Sequence, residues 1–171
     1  AQHAENRFNL SDPGPIYTRL NNPTQSALEE RLASLEGGVA AVAFASGMAA
    51  ETAAILTLAS AGDHIVTSPR LYGGTETLFQ FTLPRLGIDF TFVENPEDPQ
   101  SWQQAVQPNT KALYGETFGN PIADILDIPA VAEVAHSNHV PLIVDNTMAT
   151  AAIARPLEPV SYTHLTLPTN R

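Results

Sequence analysis

Short apolar runs alternate with helical stretches along most of this chain, and that alternation restricts its fold more than any other feature. Val39 to Ala45, His64 to Ser68, Gly87 to Val93, Thr110 to Tyr114 and Val140 to Val144 each read as a strand. Around them, Gln25 to Leu35, a stretch opening at Ser46 and reaching Ser60, Leu71 to Leu83, Ser101 to Val106 and Ile128 to Asn138 read as helices. Thr24 is placed to cap the first helix and Gly37-Gly38 to end it. Strands joined through helices by short links give an α/β fold with a mainly parallel sheet and helices on both faces. Ala1 to Pro15, polar and carrying Asp12-Pro13-Gly14-Pro15, reads as an irregular lead-in.

Ligands of such sheets sit beyond the carboxyl ends of the strands. Leu142-Ile143-Val144 runs straight into Asp145-Asn146-Thr147. An acid there needs a partner, which a cationic cofactor ring nitrogen, a helix N-terminus or a nearby arginine would each supply. Ser46-Gly47-Met48 opens a helix and presents free backbone N–H groups to an anion. A plain Ser-Gly cap has the same wording. Tyr72 beside Gly73-Gly74 suits a ring held against a flat ligand, or one packed under a loop. Asn120 precedes Pro121 and is held extended, with its amide open to a ligand. Tyr17 and Arg19, two apart on an extended segment, point the same way. They offer a phenol and a guanidinium to one anion, or form an ordinary surface ion pair with a packed tyrosine.

Composition removes several classes. The 171 residues suffice for one domain with a core. The net charge of −10 argues against nucleic acid and anionic membranes as partners. Without cysteine, thiolate chemistry and Cys-ligated metals are excluded. His3, His64, His136, His139 and His164 lack metal-ligand spacing, so no metal site is expected. No glycine fingerprint or P-loop supports a dinucleotide or NTP site. No apolar run would span a bilayer and no signal peptide is visible, so a cytoplasmic location is expected. Lys111 is the single lysine.

Five motifs stand in order: Tyr17-Thr18-Arg19-x-x-Asn22-Pro23-Thr24, Ser46-Gly47-Met48-Ala49, Tyr72-Gly73-Gly74-Thr75, Glu116-x-x-x-Asn120-Pro121 and Val144-Asp145-Asn146-Thr147. Together they resemble the Cys/Met-metabolism family of pyridoxal-phosphate enzymes, from about Asn6 to Pro159. The wording of Pro13 to Gln25 and of Ser68 to Thr75 is closest to its O-acetylhomoserine sulfhydrylase subfamily. The resemblance implies the large domain of an aminotransferase-type (fold type I) enzyme with pyridoxal 5'-phosphate as cofactor. It implies that the Gly47 and Met48 amides bind the phosphate, with Ser46 and Thr147 in the same site. Tyr72 would stack on the pyridine ring and is the catalytic residue expected in this chain. Asp145 would pair with the protonated ring nitrogen, and Asn120 would lie near the ring hydroxyl. Tyr17 and Arg19 would reach the phosphate of a neighbouring subunit in a homo-oligomer, expected to be a homotetramer. The substrate would be a small amino acid. Acetate would leave O-acetylhomoserine and sulfide or a thiol would add, giving homocysteine or a homologue in methionine biosynthesis and transsulfuration. A cystathionine γ-synthase or γ-lyase of the same family is the alternative.

The family's Schiff-base lysine stands in a Ser-x-Thr-Lys motif after the aspartate strand, and this sequence has no such motif. Lys111 starts the strand leading to Glu116, at the end away from the proposed site. The chain alone is therefore expected to be catalytically inactive. Val160 to Thr169 does not resemble the family, but matches the translation of a transposon end plus adapter used in sequencing libraries. The expected division is a partial large cofactor-binding domain over residues 1–159 and a non-native, poorly packed tail over 160–171. The family's small C-terminal domain is expected to lie outside these residues.

Overall fold

The computed structural model describes residues 2–9, 11, 14, 16–19, 21–157 and 163–166. The chain forms two compact units, residues 1–43 and 44–171.

The first unit opens with helix α1 (Gln2–Phe8), where an irregular lead-in was expected. Glu5 in its first turn and Arg7 in its last complement the helix dipole. Of Asp12-Pro13-Gly14-Pro15, only Gly14 lies within the described residues. Helix α2 (Pro23–Glu36) is capped by Asn22, not by Thr24. The Asn22 side-chain oxygen accepts the N–H groups of Thr24 at 2.9 Å and Gln25 at 3.4 Å. Pro23 fills the first turn, where no N–H is needed. Gly37, with φ 72°, ends the helix in the left-handed conformation that favours glycine.

Val39 to Ala45 is not a strand. Val39, Val42 and Phe44 are exposed, and the Ala43 N–H bonds to the Glu29 carboxylate at 2.7 Å. An apolar run becomes a strand only where a neighbouring strand pairs with its backbone groups, and the Ala43 N–H goes to a side chain instead.

The second unit is built on a parallel sheet of β1 (His64–Thr67), β2 (Asp89–Phe92), β3 (Thr110–Glu116), β4 (Leu142–Asp145) and β5 (Thr163–Thr166). Their order across the sheet is β2-β1-β3-β4-β5. The direction of winding therefore reverses between β1 and β3. β5 runs beside β4, with Thr166 in register with Asp145. The other residues of the expected tail, 160–162 and 167–171, lie outside the described residues.

Alternate strand residues feed two cores. Ile65, Ala112, Tyr114 and Ile143 pack with Ile55 of helix α3 (Gly47–Leu58) and with Leu78, Phe79 and Leu83. Val66, Leu113, Leu142 and Val144 pack on the other face with Trp102 of α5 (Pro99–Ala105) and Val131 and Ala135 of α6 (Ile128–Ser137). Both faces are covered, which is why these strands read as continuous apolar runs. The helix expected over Leu71 to Leu83 is broken. It comprises α4 (Gly73–Thr77), a π-turn over Leu78–Thr82 and a 3₁₀ turn over Leu83–Leu86. Pro84 supplies no N–H for a continuing α-helix, and Gly87 closes the segment at φ 83°. A short α7 (Thr150–Ile153) follows β4. Among the described residues no helix is long and apolar enough to cross a membrane.

At the amino ends of the strands His64 is buried, its ring nitrogens 2.8 Å from the Thr110 and Thr91 hydroxyls and Nε2 3.3 Å from the Gln107 amide nitrogen. Burial, partly opposed by the Asp89 charge, holds its pKa below the ordinary histidine value. The Gln107 amide nitrogen can only donate, so an Nε2 that accepts from it carries no proton. The unfolded chain therefore takes up this proton at higher pH than the folded one. The His64 contribution is complete above about pH 6.5 and is lost as the pH falls through the folded value. Thermal unfolding across that window should show wild type losing stability relative to His64→Gln at up to about 1.4 kcal/mol per pH unit. Parallel curves for the two proteins would contradict it.

Candidate active site

The carboxyl ends of β1, β3 and β4 converge at the point where the winding reverses, which is where open α/β sheets bind their ligands. After β1 the chain carries Arg70, Leu71 and Tyr72 into α4. The Tyr72 N–H donates to Glu116 Oε1 at 2.5 Å, tying the end of β3 to this loop. Arg70 reinforces the tie by pairing with Asp124 and, at 3.2 Å, with Glu97. The Tyr72 ring is half exposed and lies over Gly74, where a Cβ would stand 2.5 Å from Cε1 and 3.1 Å from Met48 Sδ. Any larger residue at 74 would displace the ring. The same contact brings Met48, in the first turn of α3, beside Tyr72.

Ser46 caps α3, its hydroxyl accepting the Ala49 N–H at 3.1 Å. The Gly47 and Met48 amides belong to the first turn, which has no carbonyl partner within the helix. Asp145 ends β4 in register with Glu116. Its Oδ1 accepts both the N–H of Thr147 at 2.8 Å and the Thr147 hydroxyl at 2.5 Å. Asn146, beside it, is buried and locked by the Thr117 hydroxyl at 2.7 Å and the Ala154 carbonyl at 3.0 Å. Asn120 follows β3 on an exposed loop, with a cis bond to Pro121. Ser46, Gly47, Met48, Tyr72, Asn120, Asp145 and Thr147 thus all lie in the second unit.

Tyr17 and Arg19 lie in the first unit. They sit in a turn closed by the Asn21 N–H on the Tyr17 carbonyl at 2.9 Å, not on an extended segment. The guanidinium stands 5.0 Å from the exposed Tyr17 ring centre, a cation–π pair where an ion pair was the ordinary expectation. Lys111 pairs with Asp63 at 3.6 Å at the amino end of the sheet, away from Asp145.

Sequence reasoning passed over one residue here. Glu51, on the second turn of α3, is buried and accepts the Thr75 hydroxyl at 2.9 Å. Burial, then the nearby Asp145 charge, pushes its carboxyl up to about 8. Burial likewise raises Glu116 to about 7, against the Tyr72 N–H that favours its ionised form. Tyr114, on β3, is fully buried, and burial, then the Glu51 charge, holds its hydroxyl pKa well above the ordinary value. The signal was present in Met48-Ala-Ala-Glu51-Thr-Ala-Ala-Ile55, a lone charge in a helix otherwise free of charge. Among the described residues no three His, Asp or Glu side chains are placed to hold a metal ion.

The doubly wound parallel sheet brings an acid, a helix N-terminus and an aromatic ring to its switch point, the place where open α/β sheets bind ligands. Over residues 1–160 the sequence matches the family of Cys/Met metabolism PLP-dependent enzymes, and the chain belongs to that family. It is 75% identical over 158 residues to the O-acetyl-L-homoserine sulfhydrylase of Corynebacterium glutamicum, covering 92% of this chain and 36% of that protein. It is 50% identical over 156 residues to the Leptospira meyeri protein of the same name, covering 91% and 35%. A Campylobacter jejuni structure described as an O-acetylhomoserine (thiol)-lyase, carrying N'-pyridoxyl-lysine-5'-monophosphate, superposes with a TM-score of 0.83. That match has 40% identity over 92% of this chain and 38% of the other. The chain spans about a third of the length of the curated relatives it matches.

Proposed function

We propose that this chain is part of the large, cofactor-binding domain of an O-acetylhomoserine sulfhydrylase, acting in homocysteine and methionine synthesis. The observation that carries the reading is the 75% identity to the Corynebacterium glutamicum protein of that name. The match favours sulfhydrylase over cystathionine γ-synthase or γ-lyase.

The residues present suit pyridoxal 5'-phosphate. The Gly47 and Met48 amides and the α3 dipole suit its phosphate, with Ser46 fixing the start of the helix. Tyr72 over Gly74 offers a ring face to a flat ligand, held by a position where a Cβ would clash. Asp145, its Oδ1 anchored by Thr147, offers a carboxylate to a ring N–H, and Asn120 an amide to the ring hydroxyl. When bound, this cofactor supplies an electron sink for breaking bonds to the substrate's carbons. The chain's own share is to bind the anion, orient the ring and hold negative charge at Asp145. In the whole protein acetate would leave O-acetylhomoserine as sulfide or a thiol adds. Tyr17 and Arg19 would serve the phosphate of a neighbouring subunit in a homotetramer, in the cytoplasm. Residues 160–171 are read as a non-native tail, which the end of the family match at residue 160 supports.

The reading is tested by titrating the chain with pyridoxal 5'-phosphate and assaying it for homocysteine. Saturable binding is expected. No turnover above free cofactor is expected, because Lys111 lies at the far end of the sheet. Absence of binding by a folded chain would count against the site, and turnover would count against the inactive reading.

A further inference from the structure

We propose that Arg70 is a positioning residue: through Asp124 it clamps the loop that carries Asn120 against the loop that carries Tyr72. The proposal rests on the cofactor reading only for what Asn120 then meets; the clamp itself belongs to the chain.

Asn120 sits on a loop that leaves the end of β3 and folds back on itself. The Leu126 N–H donates to the Thr117 carbonyl at 3.2 Å, and Phe118 bridges Ile125. Further out, the Gly119 N–H donates to the Asp124 carbonyl at 2.8 Å and the Ala123 N–H to the Gly119 carbonyl at 2.7 Å. Residues 120–123, the tip, are exposed. All these bonds are internal to the loop, so they fix its shape and not its place. Among the described residues, segment 118–125 is tied to another element by one ion pair, that of Asp124 with Arg70. Arg70 in turn stands on a fixed backbone. Its own N–H donates to Ser68 Oγ at 3.1 Å, and two residues on the Tyr72 N–H donates to Glu116. A second observation puts the loop on the same side chain. A Cβ at Gly119 would stand 3.0 Å from Arg70 Cβ and would collide with the Asp124 carboxylate, so the loop comes down on this pair because residue 119 has no side chain. The two acids that Arg70 meets are unequal. The Asp124 side chain is 22% exposed and that of Glu97 67%, so water screens the second and the first carries the tie. A guanidinium already shared by two carboxylates is not the group to take a ligand anion, so its part is to hold.

The test is hydrogen exchange read amide by amide on the full chain without cofactor. A loop released from its post opens more often, so the Gly119 and Ala123 N–H groups should exchange about 10-fold faster in Arg70→Gln than in wild type. The Leu113 N–H, on the Pro141 carbonyl at 3.0 Å within the sheet, is the control and should keep its rate. Unchanged rates at 119 and 123 overturn the clamp. So does an equal rise at Leu113, which would mark a general loss of stability. Should Arg70→Gln fail to fold by circular dichroism, Asp124→Asn removes the same pair from the other side and decides by the same rates. Titration with pyridoxal 5'-phosphate tests the consequence. Arg70→Gln should weaken binding by up to about 10-fold, the range of one uncharged hydrogen bond. In an Asn120→Ala background it should change nothing, because the clamp has no amide left to place. No weakening where wild type binds, or an equal loss in both backgrounds, overturns the positioning role. A chain that shows the exchange changes but binds no pyridoxal 5'-phosphate keeps the clamp and loses the cofactor site.

Discussion

Replacing Trp102 by alanine should remove about 3–5 kcal/mol of folding stability, the largest loss expected from any single change in this chain. The indole is completely buried among Val66, Leu113 and Leu142, so truncation opens a cavity beneath the centre of the sheet. The rim of that cavity includes Gly115, whose absent Cβ would stand 3.7 Å from the Trp102 ring. Truncation also strips the Pro96 carbonyl of its bond from Nε1–H at 3.0 Å, and an unmade buried bond adds about 1–3 kcal/mol. Small domains hold only about 5–15 kcal/mol in total, so the variant should lie near its unfolding midpoint. Urea unfolding checks this as a fall in the midpoint with unchanged slope. Phe81, 61% exposed, serves as the comparison, and Phe81→Ala should cost under about 1 kcal/mol. Equal losses for the two would contradict the core described here.

Asp145→Ala should weaken pyridoxal 5'-phosphate binding by about 10- to 100-fold, the range of one charged hydrogen bond. The carboxylate is half-buried and fixed by Thr147, so a ring N–H would meet it without reorganising the loop. Lys111→Ala provides the control, since its salt bridge to Asp63 sits at the opposite end of the sheet. Absorbance titration should give wild-type affinity for Lys111→Ala and a loss only for Asp145→Ala. Equal affinities for all three proteins would remove Asp145 from the site.

Much of this was legible in the residues because it depends on local chemistry. A serine or asparagine before a helix, a glycine after it and an acid closing an apolar run each act over a few residues. Ser46 caps α3, Gly37 ends α2 and Asp145 ends β4 where the wording placed them. Near misses were also local. Asn22 outcompeted Thr24 because its side chain reaches two backbone N–H groups beyond Pro23, those of Thr24 and Gln25. One helical run became three pieces, with Pro84 in the last and Gly87 closing it.

Other features were decided between segments far apart in sequence. Val39 to Ala45 has strand composition, but a strand needs a neighbouring ladder, and the Ala43 N–H meets the Glu29 carboxylate instead. The turn that faces Arg19 towards Tyr17 is closed through Asn21, not through the two-residue spacing of an extended chain. In the sequence Glu51 stands out only as the lone charge of its helix. Its burial arises because α3 lies across the sheet face that carries Tyr114 and Ile143 and meets Thr75 of α4. By itself, the sequence determined an alternating α/β order and an aspartate at a strand end, because periodicity and capping are short-range. Only the tertiary structure decided that Glu51 and Glu116 are buried, because desolvation depends on what packs beside a residue.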